Sequence, residues 1–183
     1  MENRNFRYID DWAAIRLADS FVKINKSGTG NGEASLYLGS KHDPNIFRFF
    51  GVEDFDVHCV MSKDDIIDFM NEVKCEYEIN RYNYRNEVSI KTWDSFMSEI
   101  KTLPDLLHFD LKRKRQHDAN GRVYAQEPTY RQPFDFDRNP KAATYDLIRR
   151  IAIPEVSFIM LFKLDDELAS DFHARLFYDP NQE

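Results

Sequence analysis

Half of the six glycines in this 183-residue chain stand at alternate positions, Gly28, Gly30 and Gly32, and no helix or central strand runs through such a stretch. Phe21, Val22 and Ile24 precede them and Leu36, Tyr37 and Leu38 follow, so residues 20–38 read as two short strands joined by a loop. Glycine accepts positive φ and lets the backbone approach another surface closely. Lys23 and Lys26 sit at the base of the loop, with Ser27, Thr29, Asn31 and Ser35 along it. The stretch is therefore either a solvated hairpin or a tongue that meets phosphates and base edges. It is not a Walker loop, because no Gly-Lys-Ser/Thr follows and no helix opens after the glycines.

The length suits one domain spanning residues 1–183. Cys59 and Cys75 lie in strand-like alternating runs without CxxC spacing, which predicts two free, buried thiols and no metal or other cofactor. Residues 1–11 are polar and no apolar run is long enough to span a bilayer, so a soluble cytoplasmic chain with no membrane partner is expected. The net charge of -7 argues against nucleic acid only if it is spread evenly. It is not. Lys and Arg exceed Asp and Glu over 20–50, 80–92 and 112–150, whereas the acidic excess falls on 51–79 and 151–183. An acidic body with basic projections can hold DNA in one cleft and repel it elsewhere.

Taken in order, Asp10 or Asp11 can cap a helix to about Asp19, with Trp12, Ile15 and Ala18 facing a core. Pro44 holds His42-Asp43 extended, and Ile46, Phe47, Phe49 and Phe50 form an apolar plug. Phe55, Val57, Cys59 and Met61 alternate with polar positions as a half-buried strand. Ser62 then caps an amphipathic helix with acids in its first turn. Val73, Cys75, Tyr77 and Ile79 alternate as a second strand. Trp93 to Lys101 reads as a short helix and Pro140 to Arg150 as another, opened by its proline. Glu155 to Lys163 and Phe172 to Tyr178 complete the core as strands, and Pro180 onward reads as a tail or the start of a linker.

Two stretches carry competing chemistry. Glu72-Val73-Lys74 has the spacing of a Mg²⁺-dependent nuclease site, with Asp54 or Asp56 as the further acid, but it straddles a helix end and reads better as a surface terminus. Residues 81–93 interleave Arg81, Arg85 and Lys91 with Tyr82, Asn83, Tyr84 and Asn86, a mixture that suits phosphates and base edges together or an exposed hairpin.

With both arms in view, the chain resembles the effector DNA-binding domain of EcoRII-type (type IIE) restriction endonucleases, a relative of the plant B3 domain. Trp12, Phe21-Val22-Lys23-Ile24, Thr29-Gly30 and Leu36-Tyr37-Leu38 correspond to the family's first arm. Arg85-Asn86-Glu87, Ile90 and Trp93 correspond to the second, and Phe162-Lys163-Leu164-Asp165 to a late strand end. The resemblance implies a mostly β fold with short helices (α+β), an open seven-stranded B3-like pseudobarrel. It implies two arms reading a short CCWGG- or CCGG-like site of double-stranded DNA in the major groove. It also implies a monomer with no catalysis of its own, its nuclease domain lying elsewhere in a longer bacterial polypeptide.

On that analogy Lys23, Asn25, Lys26, Thr29, Asn31, Gly32, Glu33 and Tyr37 lie on the first arm, and Arg81, Asn83, Arg85, Glu87, Ser89 and Lys91 on the second. Gly32-Glu33 and Val88-Ser89 depart from the family's pattern at candidate reading positions. Lys112, Arg113, Lys114 and Arg115 fall outside that pattern and are candidate phosphate contacts or a solvated face, within a loop-like run that reaches Pro140. A protein-interaction domain that does not touch DNA is the third reading.

Overall fold

The computed structural model describes residues 3, 5–22, 34–78, 93–164 and 171–181. In chain order these hold strands β1 (Phe6–Ile9), β2 (Trp12–Arg16) and β3 (Leu36–Ser40), helix α1 (Pro44–Phe50), and strand β4 (Asp56–Ser62). Helices α2 (Lys63–Glu72), α3 (Lys74–Glu78) and α4 (Trp93–Lys101) follow, then strand β5 (Leu106–Lys114), a 3-10 turn over Arg115–Asn120 and strand β6 (Arg122–Gln126). Helix α5 (Pro140–Ile151) and strands β7 (Ser157–Lys163) and β8 (Phe172–Tyr178) complete the order.

The strands form one sheet in the order β1-β2-β7-β8-β4-β5-β6-β3, antiparallel throughout except for the pair β4–β8. The sheet curls until its two ends almost meet, and a single side chain laces them. Asn3, just ahead of β1, donates its Nδ2 to Leu38 O in β3 at 2.8 Å and to Asp43 Oδ2 at 2.9 Å. Its Oδ1 accepts from Asn5 N and Phe6 N. The architecture is mixed α+β around a nearly closed, barrel-like sheet of eight strands, one more than the seven expected.

The differences from expectation have local causes. Trp12–Arg16 is a strand, not a helix: Asp10 turns left-handed (φ 41), and the two-residue turn pairs Ile9 with Trp12. Ala13, Ala14 and Ile15 are all buried in that strand, which erases the alternation that would have announced it. Phe21 and Val22 are buried but sit in a turn, both N–H groups bonding Ala18 O. Residues 74–78 continue helically after Val73, whose N–H still reaches Phe69 O, so the expected second strand is α3. The turn rotates Cys75 outward; only Cys59 is a buried thiol, pushed well above its usual pKa by burial. β1, β5 and β6 lie in stretches where no strand was expected.

Where local chemistry was strong it prevailed. Ser62 Oγ accepts from Asp64 N and Asp65 N at the start of α2, Asp43 caps α1 ahead of Pro44, and Asn139 Oδ1 caps α5 ahead of Pro140. The α1 plug fills one end of the barrel: Phe50 stacks on Phe55 with centroids 4.0 Å apart and Phe49 on Phe172 at 5.2 Å. α5 packs on β5, with Ala142 through Arg149 all buried.

Gly39 lies beside the Asn3 lacing with φ 138, and an added Cβ would overlap the Asn3 amide nitrogen. Gly39→Ala is expected to lower the unfolding free energy by about 2 kcal/mol in urea titration, from backbone strain and displaced hydrogen bonds. A loss below about 0.5 kcal/mol would mean that the lacing is dispensable.

Candidate nucleic-acid interface

The two expected arms are continuous with buried structure at their roots. Lys23, Asn25, Lys26, Thr29, Asn31, Gly32 and Glu33 lie outside the described residues, as do Arg81, Asn83, Arg85, Glu87, Ser89 and Lys91. Of the first-arm candidates only Tyr37 is described, half-buried in β3 with its ring 5.1 Å from that of Tyr124.

The roots of both segments converge on α5. On the first segment, Arg149 Nε donates to Phe21 O at 2.7 Å and Tyr145 Oη donates to Ala34 O at 2.6 Å. Residues 145 and 149 are one helical turn apart, so the ends of the 23–33 segment are clamped side by side on one face. Burial lowers the Arg149 pKa to about 10, which leaves it cationic at neutral pH. The guanidinium lies over Tyr130 at 4.8 Å and Phe21 at 5.7 Å.

On the second segment, Tyr77 Oη in α3 donates to Ile151 O at the last turn of α5. Trp93, which opens α4, donates Nε1 to Met70 O at 2.7 Å and carries Lys74 Nζ over its ring at 4.6 Å. Arg150 bonds both Asp146 of α5 and Glu99 of α4. One helix end thus organises the entry and exit of both candidate arms.

The basic run is divided by strand alternation. Arg113 points inward rather than to solvent: its guanidinium lies over Phe47 at 4.8 Å, Nη1 donates to Glu53 O and Nη2 to Asp118 Oδ1. That corrects its reading as a phosphate contact. Arg115 is held by both oxygens of Asp54 at 2.6 Å, and this hydrogen-bonded pair draws the Asp54 carboxyl below its usual range. Lys112 and Lys114 remain, the second with Nζ on Ser35 Oγ at 2.9 Å.

The nuclease-like spacing is not assembled into a cluster. Glu72 is the exposed last residue of α2 and Lys74 is engaged by Trp93 and Glu78, while Asp54 belongs to Arg115. Among the described residues no three His, Cys, Asp or Glu side chains are grouped to hold a metal ion.

A polar cluster that no motif announced lies on β4 and β5. His58 Nδ1 meets Asp110 Oδ1 at 2.6 Å, His58 Nε2 meets His108 Nδ1 at 3.0 Å, and Lys141 Nζ donates to Asp110 Oδ2 at 2.7 Å. The register pairs His58 with Asp110 and Val60 with His108, so the only sequence signal was His-x-Asp in a strand that went unread. Burial lowers the His108 pKa, helped by the charges of His58 and Lys141 and opposed by Asp110.

No family model, curated protein or solved structure matches the chain.

Two outcomes follow from this geometry. Arg149→Met leaves Phe21 O without its donor and is expected to cost roughly 1–3 kcal/mol, with faster amide exchange at Phe21 and Val22 than at core β7; unchanged exchange there would remove Arg149 from the root. His108 binds its proton less readily when folded, so stability is full above the unfolded pKa of about 6.5 and declines as pH falls through it. Denaturant midpoints measured from pH 7.5 to 5.5 should fall in the wild type and fall less in His108→Gln. Parallel curves would show that this group is not the source.

Proposed function

We propose that the chain is a sequence-specific double-stranded DNA-binding module, a B3-like pseudobarrel of the restriction-endonuclease effector kind. Its two arms, 23–37 and 81–91, enter the major groove together. The observation that carries this reading is the convergence of both arm roots on the last turns of α5, through Arg149, Tyr145 and the Ile151 carbonyl. A pair of groove-reading arms requires a common, rigid base, and a helix buried along its length provides one. The barrel-like sheet and the basic, Asn-bearing composition of the two segments agree with it. Arg85 can take two acceptors from guanine, Asn83 both groups of adenine, and Glu87 can accept from cytosine N4. The DNA cleavage of the full polypeptide would belong to a separate nuclease domain, and the module would work as a monomer without a cofactor.

Selection from a pool of short random duplexes at moderate salt should return one short consensus. Arg85→Ala is then expected to lose about 1–3 kcal/mol of discrimination between that consensus and random DNA, with random affinity little changed. Failure of selection, or equal weakening on both DNAs, would defeat the base-reading role.

A further inference from the structure

A cleft of ≈ 320 Å³ lies where β5 and β6 end, and we infer that it seats a backbone phosphate of the bound duplex. The inference rests on the DNA-binding reading and adds a second, sequence-blind point of grip. Lys112 and Lys114 are two residues apart on β5 and so share one side of the strand, roughly 7 Å from each other. Gln126 of β6 stands opposite Lys112 in the register, and Arg131 reaches the rim from beyond Pro128.

The charges in this cleft are unequally available. Glu127 is its only carboxylate, and its oxygens are spent on the protein: Oε2 accepts from Asp110 N at 2.5 Å, Oε1 from Thr129 N at 3.1 Å and Thr129 Oγ1 at 2.7 Å. Its side chain is buried. Arg113 lines the same cleft, but its guanidinium is tied to Asp118. By contrast, Arg131 is exposed and makes no hydrogen bond or ion pair with a described residue. Lys112 has only Asp56, at 3.8 Å and with both side chains more than half exposed, a pairing that water and salt readily screen.

The lining also selects among ligands. It contains no aromatic ring and little apolar surface beyond Pro128, so it offers nothing for a base to stack on. Its volume, at the low end of the usual range of about 300–1,000 Å³, fits a phosphate with its sugar rather than a larger cofactor. Lys114 ties the cleft to Ser35, immediately beyond the first segment. A duplex held by that segment would therefore bring its backbone to this side of the barrel.

The test uses the full chain and the double variant Lys112→Gln/Arg131→Gln, two exposed side chains that can be replaced without disturbing the core. Binding of consensus and random duplexes is measured from 50 to 300 mM salt. The double variant should bind both DNAs about 10-fold more weakly at moderate salt, with the log–log salt slope shallower by about 2 and the consensus-to-random ratio preserved. Lys101→Gln, an exposed cation at the end of α4, should match the wild type on every measure. Unchanged affinity and slope in the double variant would overturn the inference while leaving the arms intact. If the wild-type chain binds no duplex, the arm reading falls, and inorganic phosphate followed by NMR decides the cleft. Shifts of the Gln126 amide and Arg131 Nε–H that vanish in Arg131→Gln would retain it as a phosphate site, and their absence would remove it.

Discussion

A buried guanidinium on α5 is the interaction on which the arrangement of this protein turns. Arg149 is enclosed by Phe21 and Tyr130 and gives its Nε–H to the carbonyl of Phe21. A carbonyl in such a place has no water to turn to, so the donor fixes where the chain must leave the core. One turn earlier Tyr145 fixes where it must return. The last carbonyl of the same helix receives Tyr77 from α3. Position, rather than strength, is what these bonds contribute: they make two segments far apart in sequence share one foundation.

Barrel closure imposes the second constraint. The end strands β1 and β3 are not paired by a ladder; Asn3 connects their neighbourhoods through its amide group. Close approach there leaves room only for a glycine at position 39. The aromatic plug of α1 is fastened at the same place, because Asp43 both caps the helix and receives Asn3. Core filling and sheet closure therefore depend on one small set of polar contacts.

The helices with explicit caps were legible from the chain alone, as were β4, β7 and β8 with their long apolar runs. Ser62 before an acidic turn and Pro140 before an apolar one are local instructions that tertiary contacts did not override. What stayed hidden depends on partners distant in sequence. Ala13 and Ala14 occupy a strand because β7 lies beside them, a fact the local spacing of Trp12 and Ile15 contradicts. Tyr77 belongs to a helix whose last contact is with Ile151. The candidate site was only partly visible for the same reason: Lys112 through Arg115 look alike in sequence, yet alternation on β5 buries one arginine, Asp54 claims the other, and the lysines between them face the cleft. His58 and Asp110 meet only through a cross-strand register.

The single parallel pairing, β4 with β8, joins Cys59 to Phe172 across most of the chain. Likewise β2 is completed by β7. Such pairings charge loop-closure entropy before they return any contact energy. During synthesis the early strands must wait, unpartnered, until nearly the whole polypeptide has emerged, which makes assembly of this barrel a late and concerted event and leaves its nascent edges in need of shelter.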